Sequence, residues 1–191
     1  MKGKPMWCNF FYKKIRRSVY LPTLFSLLLL GIANSAGAQS WHEQLPQAKP
    51  VGHGELRWFG LHIYRATLWS EHQPFDANAP FALELTYERS ISRERFLQTS
   101  MDEIKRLSGA QATAAKLKQW EQELSRVFPD VVEGDQLIGV YLPQHGCLFY
   151  DKQKLLADIT DPELAQAFFA IWLDPRSKDS SLRAHLLGSS K

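Results

Sequence analysis

The chain has little cysteine: of its 191 residues only Cys8 and Cys147 carry a thiol. If Cys8 is lost with a targeting segment, as argued below, an exported domain retains Cys147 alone and can form no internal disulfide, so its stability has to come from packing. Cys147 lies in "GCLFY", which reads as a strand, and so reads as a buried, inert thiol rather than a nucleophile. Clustered metal ligands are also lacking. His42, His53, His62, His72, His145 and His185 include no helical i, i+4 pair and stand near no cysteine cluster, which excludes a metal site built from local sequence. No G-x-S-x-G occurs, so a serine nucleophile elbow is excluded. Gly52 and Gly54 make a G-x-G with no third glycine and a strand rather than a helix after it, which excludes a dinucleotide loop.

Acidic residues are missing from the first 38 positions, where Lys2, Lys4, Lys13, Lys14, Arg16 and Arg17 all lie. The apolar run "LFSLLLLGI" and then Ala36-Gly37-Ala38 follow this basic stretch, the order of a secretory signal peptide cut before Gln39. Val19 to Ala38 is long enough to serve as an uncleaved anchor, but Pro22 and the tail "ANSAGA" interrupt it, which favours cleavage. The expected location is therefore the periplasm, with no stable membrane insertion after cleavage. Removing six of the 23 basic residues and none of the 20 acidic ones leaves a mildly acidic remainder of 153 residues. Nothing in that balance calls for nucleic acid or an anionic membrane as partner. Its length suits one domain able to bury a core.

What is present is a regular alternation of signals. Residues 39–50 are polar, contain Pro46 and Pro50, and read as a lead-in, so the domain is expected over 51–191. Val51 to Trp69 reads as two strands turning near Phe59-Gly60. "FALELTY" alternates with Phe81, Leu83, Leu85 and Tyr87 on one face. Ser92 caps a first helix, with Ile91 and Phe96 placed as a hydrophobic staple, and Gly109 ends it. A second helix carries Leu117, Trp120, Leu124 and Val127 and stops before Pro129. "QLIGVYL", "CLFY" and "KLLAD" read as a meander, after which Asp161-Pro162 opens a helix bearing Phe168, Phe169 and Trp172. Ser180 to Leu187 forms a last short helix. Strands, helices, strands and helices in blocks predict an α+β domain, an antiparallel β-sheet with a layer of α-helices on one face.

Few residues carry candidate chemistry. The acidic pairs Asp102-Glu103, Glu121/Glu123 and Asp158/Asp161 read as solvated faces or turns. Arg57, Tyr64 and Arg65 stand within aromatic strands, where a guanidinium could orient an anionic head group or simply form an edge ion pair.

Taken in order, "GHGELRWFGLHIYRATLW", "PFALELTY", "FPDVVEGDQLIGVYLP" and "DPELAQAFFAIWLDPRSKDSSLRAHLLG" resemble the bacterial exported chalcone isomerase-like family. The resemblance spans Val51 to Gly188 and implies that family's fold, with a ligand cleft between sheet and helices. Its wider superfamily holds plant enzymes that close a chalcone to a flavanone, plastid proteins that bind fatty acids, and fungal relatives associated with haem. Carried over by position, the enzymes' arginine falls near Arg57, their strand threonine near Tyr64, their helix tyrosine near Phe96 and their asparagine near Glu103. A lost hydroxyl and a carboxylate in place of an amide argue against isomerase chemistry, because the carboxylate repels a developing enolate. The expectation is a protein that binds a small apolar or amphipathic ligand, such as a fatty acid, with Arg57 and Tyr64 as the polar end of the cleft. No catalytic residue, metal or cofactor is assigned. An intramolecular lyase of chalcone isomerase type, a haem protein ligated by one histidine, and a structural partner in an envelope assembly are the alternatives.

Overall fold

The computed structural model describes residues 40–189, and the signal-peptide reading of residues 1–38 lies outside them. Six strands pair in chain order as one antiparallel meander: β1 Lys49–Trp58, β2 Leu61–Ser70, β3 Phe81–Tyr87, β4 Gln136–Leu142, β5 Gly146–Tyr150 and β6 Leu155–Ile159. Two helices, α1 Arg93–Ser108 and α2 Ala114–Val127, sit between β3 and β4; α3 Pro162–Leu173 and α4 Ser180–Leu186 follow β6. The α+β expectation holds. Among the described residues no helix is long and apolar enough to cross a membrane.

Local chemistry explains the boundaries. Phe59 and Gly60 both have positive φ, 48° and 78°, the conformation that a two-residue hairpin requires. Ser92 accepts from the Arg95 amide and Thr113 from the Lys116 amide, each quenching a free N–H at a helix start. Asp161 does so twice, taking the Glu163 and Leu164 amides through Oδ1. Its Oδ2 accepts from Trp120 Nε1 at 2.8 Å, which ties α2 to the start of α3.

The helices cover the face bearing Ala66, Leu68, Phe81, Leu83, Leu85, Tyr87, Leu137, Tyr141, Cys147 and Phe149. α4 lies on β1, and this is what Gly52 and Gly54 are for. A Cβ on Gly52 would stand 2.0 Å from the His185 carbonyl oxygen, and one on Gly54 2.8 Å from a Leu182 methyl. The G-x-G is a clearance for a helix rather than a phosphate loop.

The opposite face is apolar as well. Ala82, Ile138, Val140, Leu148 and Tyr150 form a second cluster closed by Trp41 and Leu45. The stretch read as a lead-in thus contains a 3-10 turn, Trp41–Glu43, whose indole covers the sheet, and β1 begins at Lys49 within it. Cys147 is buried, as expected, and burial above all raises its thiol pKa.

Candidate functional site

The space between sheet and helices is built from rings. Phe96 of α1 stacks on Phe128 with centroids 4.1 Å apart. Phe168 of α3 meets Phe149 edge-on at 5.1 Å and Trp172 at 5.3 Å. These contacts follow from Phe96, Phe168 and Trp172 lying on the apolar stripes of α1 and α3. Trp120 joins the same cluster from α2.

Two tyrosines bring hydroxyls into this apolar layer. Tyr64 of β2 and Tyr87 of β3 are register partners, with ring centroids 6.0 Å apart at 75°. Trp172 Nε1 donates to the Tyr64 hydroxyl at 2.9 Å. The Tyr87 ring is 2% exposed and packs against Phe96, while its hydroxyl is buried without a hydrogen-bond partner. Burial is the main force raising both pKa values. At Tyr64 the negative charge of Asp179 adds to it and the Trp172 bond opposes it. Both hydroxyls are therefore protonated donors at neutral pH.

A different surface forms where the β1–β2 hairpin meets the end of β3. Arg57 is held by Glu55 at 2.9 Å, His62 lies 3.1 Å from Glu55 and 3.4 Å from Glu88, and Arg65 bonds Glu88 at 2.9 Å. The Arg57 bond, foremost, lowers the Glu55 carboxyl pKa. Beside this ionic chain is a recess of about 430 Å³ lined by His62, Arg65, Thr86, Glu88, Arg89 and Glu133 among others. Its walls alternate in charge, so it suits a polar molecule better than an acyl chain.

The two residues expected to share one polar end are not brought together. Arg57 has 60% of its side chain exposed and turns to Glu55; Tyr64 is engaged under α3 by Trp172. The register sets Leu56, not Arg57, opposite Tyr64, and Arg57 opposes His62 after a bulge that skips Ile63. Phe96 is interior, as the carry-over placed it. Glu103 does not face the rings: its carboxylate binds Arg106 at 2.8 Å and also Lys178. Burial alone would raise its pKa, but these two bonds outweigh it and the net shift is downward. All six histidines are exposed, none within the ring layer.

Sequence reasoning missed Tyr87 and the Trp172 N–H. The signal was there for Tyr87: it ends the one cleanly alternating strand on its core face, where Phe81, Leu83 and Leu85 carry no polar atom. Trp172 was read as core only, since an indole stripe says nothing of where its N–H points.

A six-stranded antiparallel meander roofed on one face by helices, with an aromatic interlayer holding tyrosine hydroxyls, defines a two-layer sheet-and-helix domain. The sequence matches the chalcone isomerase-like family over residues 53–188, and the chain belongs to that family. Among solved structures it is similar to a fatty-acid binding protein of Arabidopsis thaliana, with a TM-score of 0.58 and 10% identity over 74% of this chain and 87% of that one. At that identity the likeness is one of fold. A search of curated proteins found no match.

Proposed function

We propose that this chalcone isomerase-like protein binds a small apolar or amphipathic ligand, such as a fatty acid, between its sheet and its helix layer, and does not transform it. The observation that carries this reading is the composition of the interlayer. It is packed with Phe96, Phe128, Phe149, Phe168 and Trp172, and its polar atoms include tyrosine hydroxyls and an indole N–H. Apolar walls with a few fixed polar groups suit binding and orientation. Acid–base turnover needs a group that changes protonation near the working pH, and two tyrosines pushed upward by burial do not. The place where the resemblance puts a catalytic hydroxyl holds Phe96, and Glu103, in the asparagine's place, is committed to two cations. The Arabidopsis neighbour's description as fatty-acid binding supports the same class of ligand.

The location belongs to the same proposal. A basic, acid-free N-terminus, an apolar run and Ala36-Gly37-Ala38 support export with cleavage before Gln39. Native mass spectrometry of the protein purified from its own host tests both parts. A chain starting at Gln39 with a bound acyl mass is the expected result. A ligand-free chain that accelerates loss of chalcone absorbance would overturn the binding reading in favour of a lyase, and a Soret band would overturn it in favour of haem.

A further inference from the structure

We propose that the Tyr64 and Tyr87 hydroxyls form the head-group end of the ligand site and select an uncharged ligand that presents one acceptor oxygen on an apolar body: a ketone, aldehyde, ester or un-ionised acid. This rests on the binding role proposed above and narrows its ligand class.

Tyr87 is the starting point. Its hydroxyl is buried with no partner, an arrangement that costs free energy that phenylalanine would avoid in the same space. A buried donor kept at such a cost is explained by a partner that arrives. Tyr64 stands opposite it on the neighbouring strand. Its oxygen accepts the Trp172 N–H at 2.9 Å, so a lone pair is used and its own proton is left to donate. Two O–H donors on adjacent strands match the two lone pairs of one carbonyl oxygen.

Charge decides against an anion. No lysine, arginine or histidine bonds either hydroxyl among the described residues, whereas Asp179 imposes negative charge on Tyr64. The nearby guanidiniums of Arg57 and Arg65 are outside, committed to Glu55 and Glu88. A carboxylate beneath the helix layer would be desolvated without a counter-ion, while a carbonyl loses little and gains two donors.

The test is a tryptophan-fluorescence titration of the full chain with 2-octanone, octane and octanoate near pH 8, where the acid is ionised. The wild type should bind 2-octanone about tenfold more tightly than octane or octanoate, and Tyr87→Phe should remove that advantage while leaving octane unchanged. Tyr87→Phe should also raise the thermal midpoint, because it deletes an unsatisfied group. Tyr64→Phe, which keeps the ring, should weaken 2-octanone without that rise. Ketone affinity unchanged in Tyr87→Phe, a lowered midpoint in that variant, or octanoate as the tightest wild-type ligand would each overturn the proposal. Octane bound in those cases would keep the broader apolar-ligand reading, and failure of all three probes would overturn both.

Discussion

Aromatic side chains meet opposite fates at the β1–β2 hairpin tip and in the interlayer beneath α3. At the hairpin tip Trp58 is 65% exposed and Phe59 87% exposed, their rings touching each other at 4.9 Å. At the interlayer Phe168 and Trp172 are 2% and 5% exposed and touch rings from the sheet and from α3 itself. Residue type alone does not say which will hold the fold. What separates the two groups is whether a second element lies over them: α3 covers the sheet, while the tip extends past the last strand pair with Arg57 and His62 tied to carboxylates beside it.

Substitutions sharpen that contrast. Phe168→Ala should cost about 3–5 kcal/mol in urea unfolding, since it removes a ring from the centre of the layer and leaves a cavity. A loss below about 1 kcal/mol would mean that the layer collapses freely and is not packed as described. Gly52→Ala should cost about 1–3 kcal/mol by pushing α4 off β1, and its damage should appear as loss of protection of α4 amides before those of β3. Asp161→Ala removes a double cap and the Trp120 bond, for an expected loss of about 1–2 kcal/mol.

The tip should respond with the other sign. Phe59 holds φ 48°, a region that side chains such as phenylalanine disfavour and asparagine tolerates, so Phe59→Asn should raise stability by about 0.5–1 kcal/mol. A measured loss there would show that the tip is covered in solution and that the contrast is false.

The smallest effect is one of pH. Hydrogen bonds from Arg176, foremost, hold Asp174 at about 2, below its ordinary 3.8. A depressed carboxyl stabilises the fold above its unfolded pKa, and that contribution disappears as pH falls from about 3.8 toward 2. Asp174→Asn should therefore flatten the stability profile in that acid window and leave its shape near neutrality unchanged. A wild-type profile already flat between those values would remove the Asp174–Arg176 pair from the account.

Much of the fold was legible because its signals are local. Ser92 and Asp161 stand at helix starts, Gly109 ends α1, and the β1–β2 turn falls at Phe59-Gly60, all decided by hydrogen-bonding groups or φ preferences within a few residues. The candidate site was less legible. Only the family resemblance joined Arg57 to Tyr64, and the β1–β2 register sets Leu56, not Arg57, opposite Tyr64 across a bulge that no residue type announces. Trp41 and Leu45 looked like part of a polar lead-in because the apolar face they cover, Ala82, Ile138, Val140 and Leu148, is assembled from strands far along the chain.

By itself the sequence determined the element order, the caps, the apolar stripes of α1 to α3 and membership of the chalcone isomerase-like fold, since these depend on short-range preferences and on a pattern running the length of the domain. Tertiary structure alone decided that Gly52 and Gly54 admit α4, that Arg57 goes to Glu55 in solvent, and that the Tyr87 hydroxyl is enclosed without a partner beside Tyr64. Each of those depends on which surfaces meet, and a surface contact between distant segments leaves no local mark on either of them.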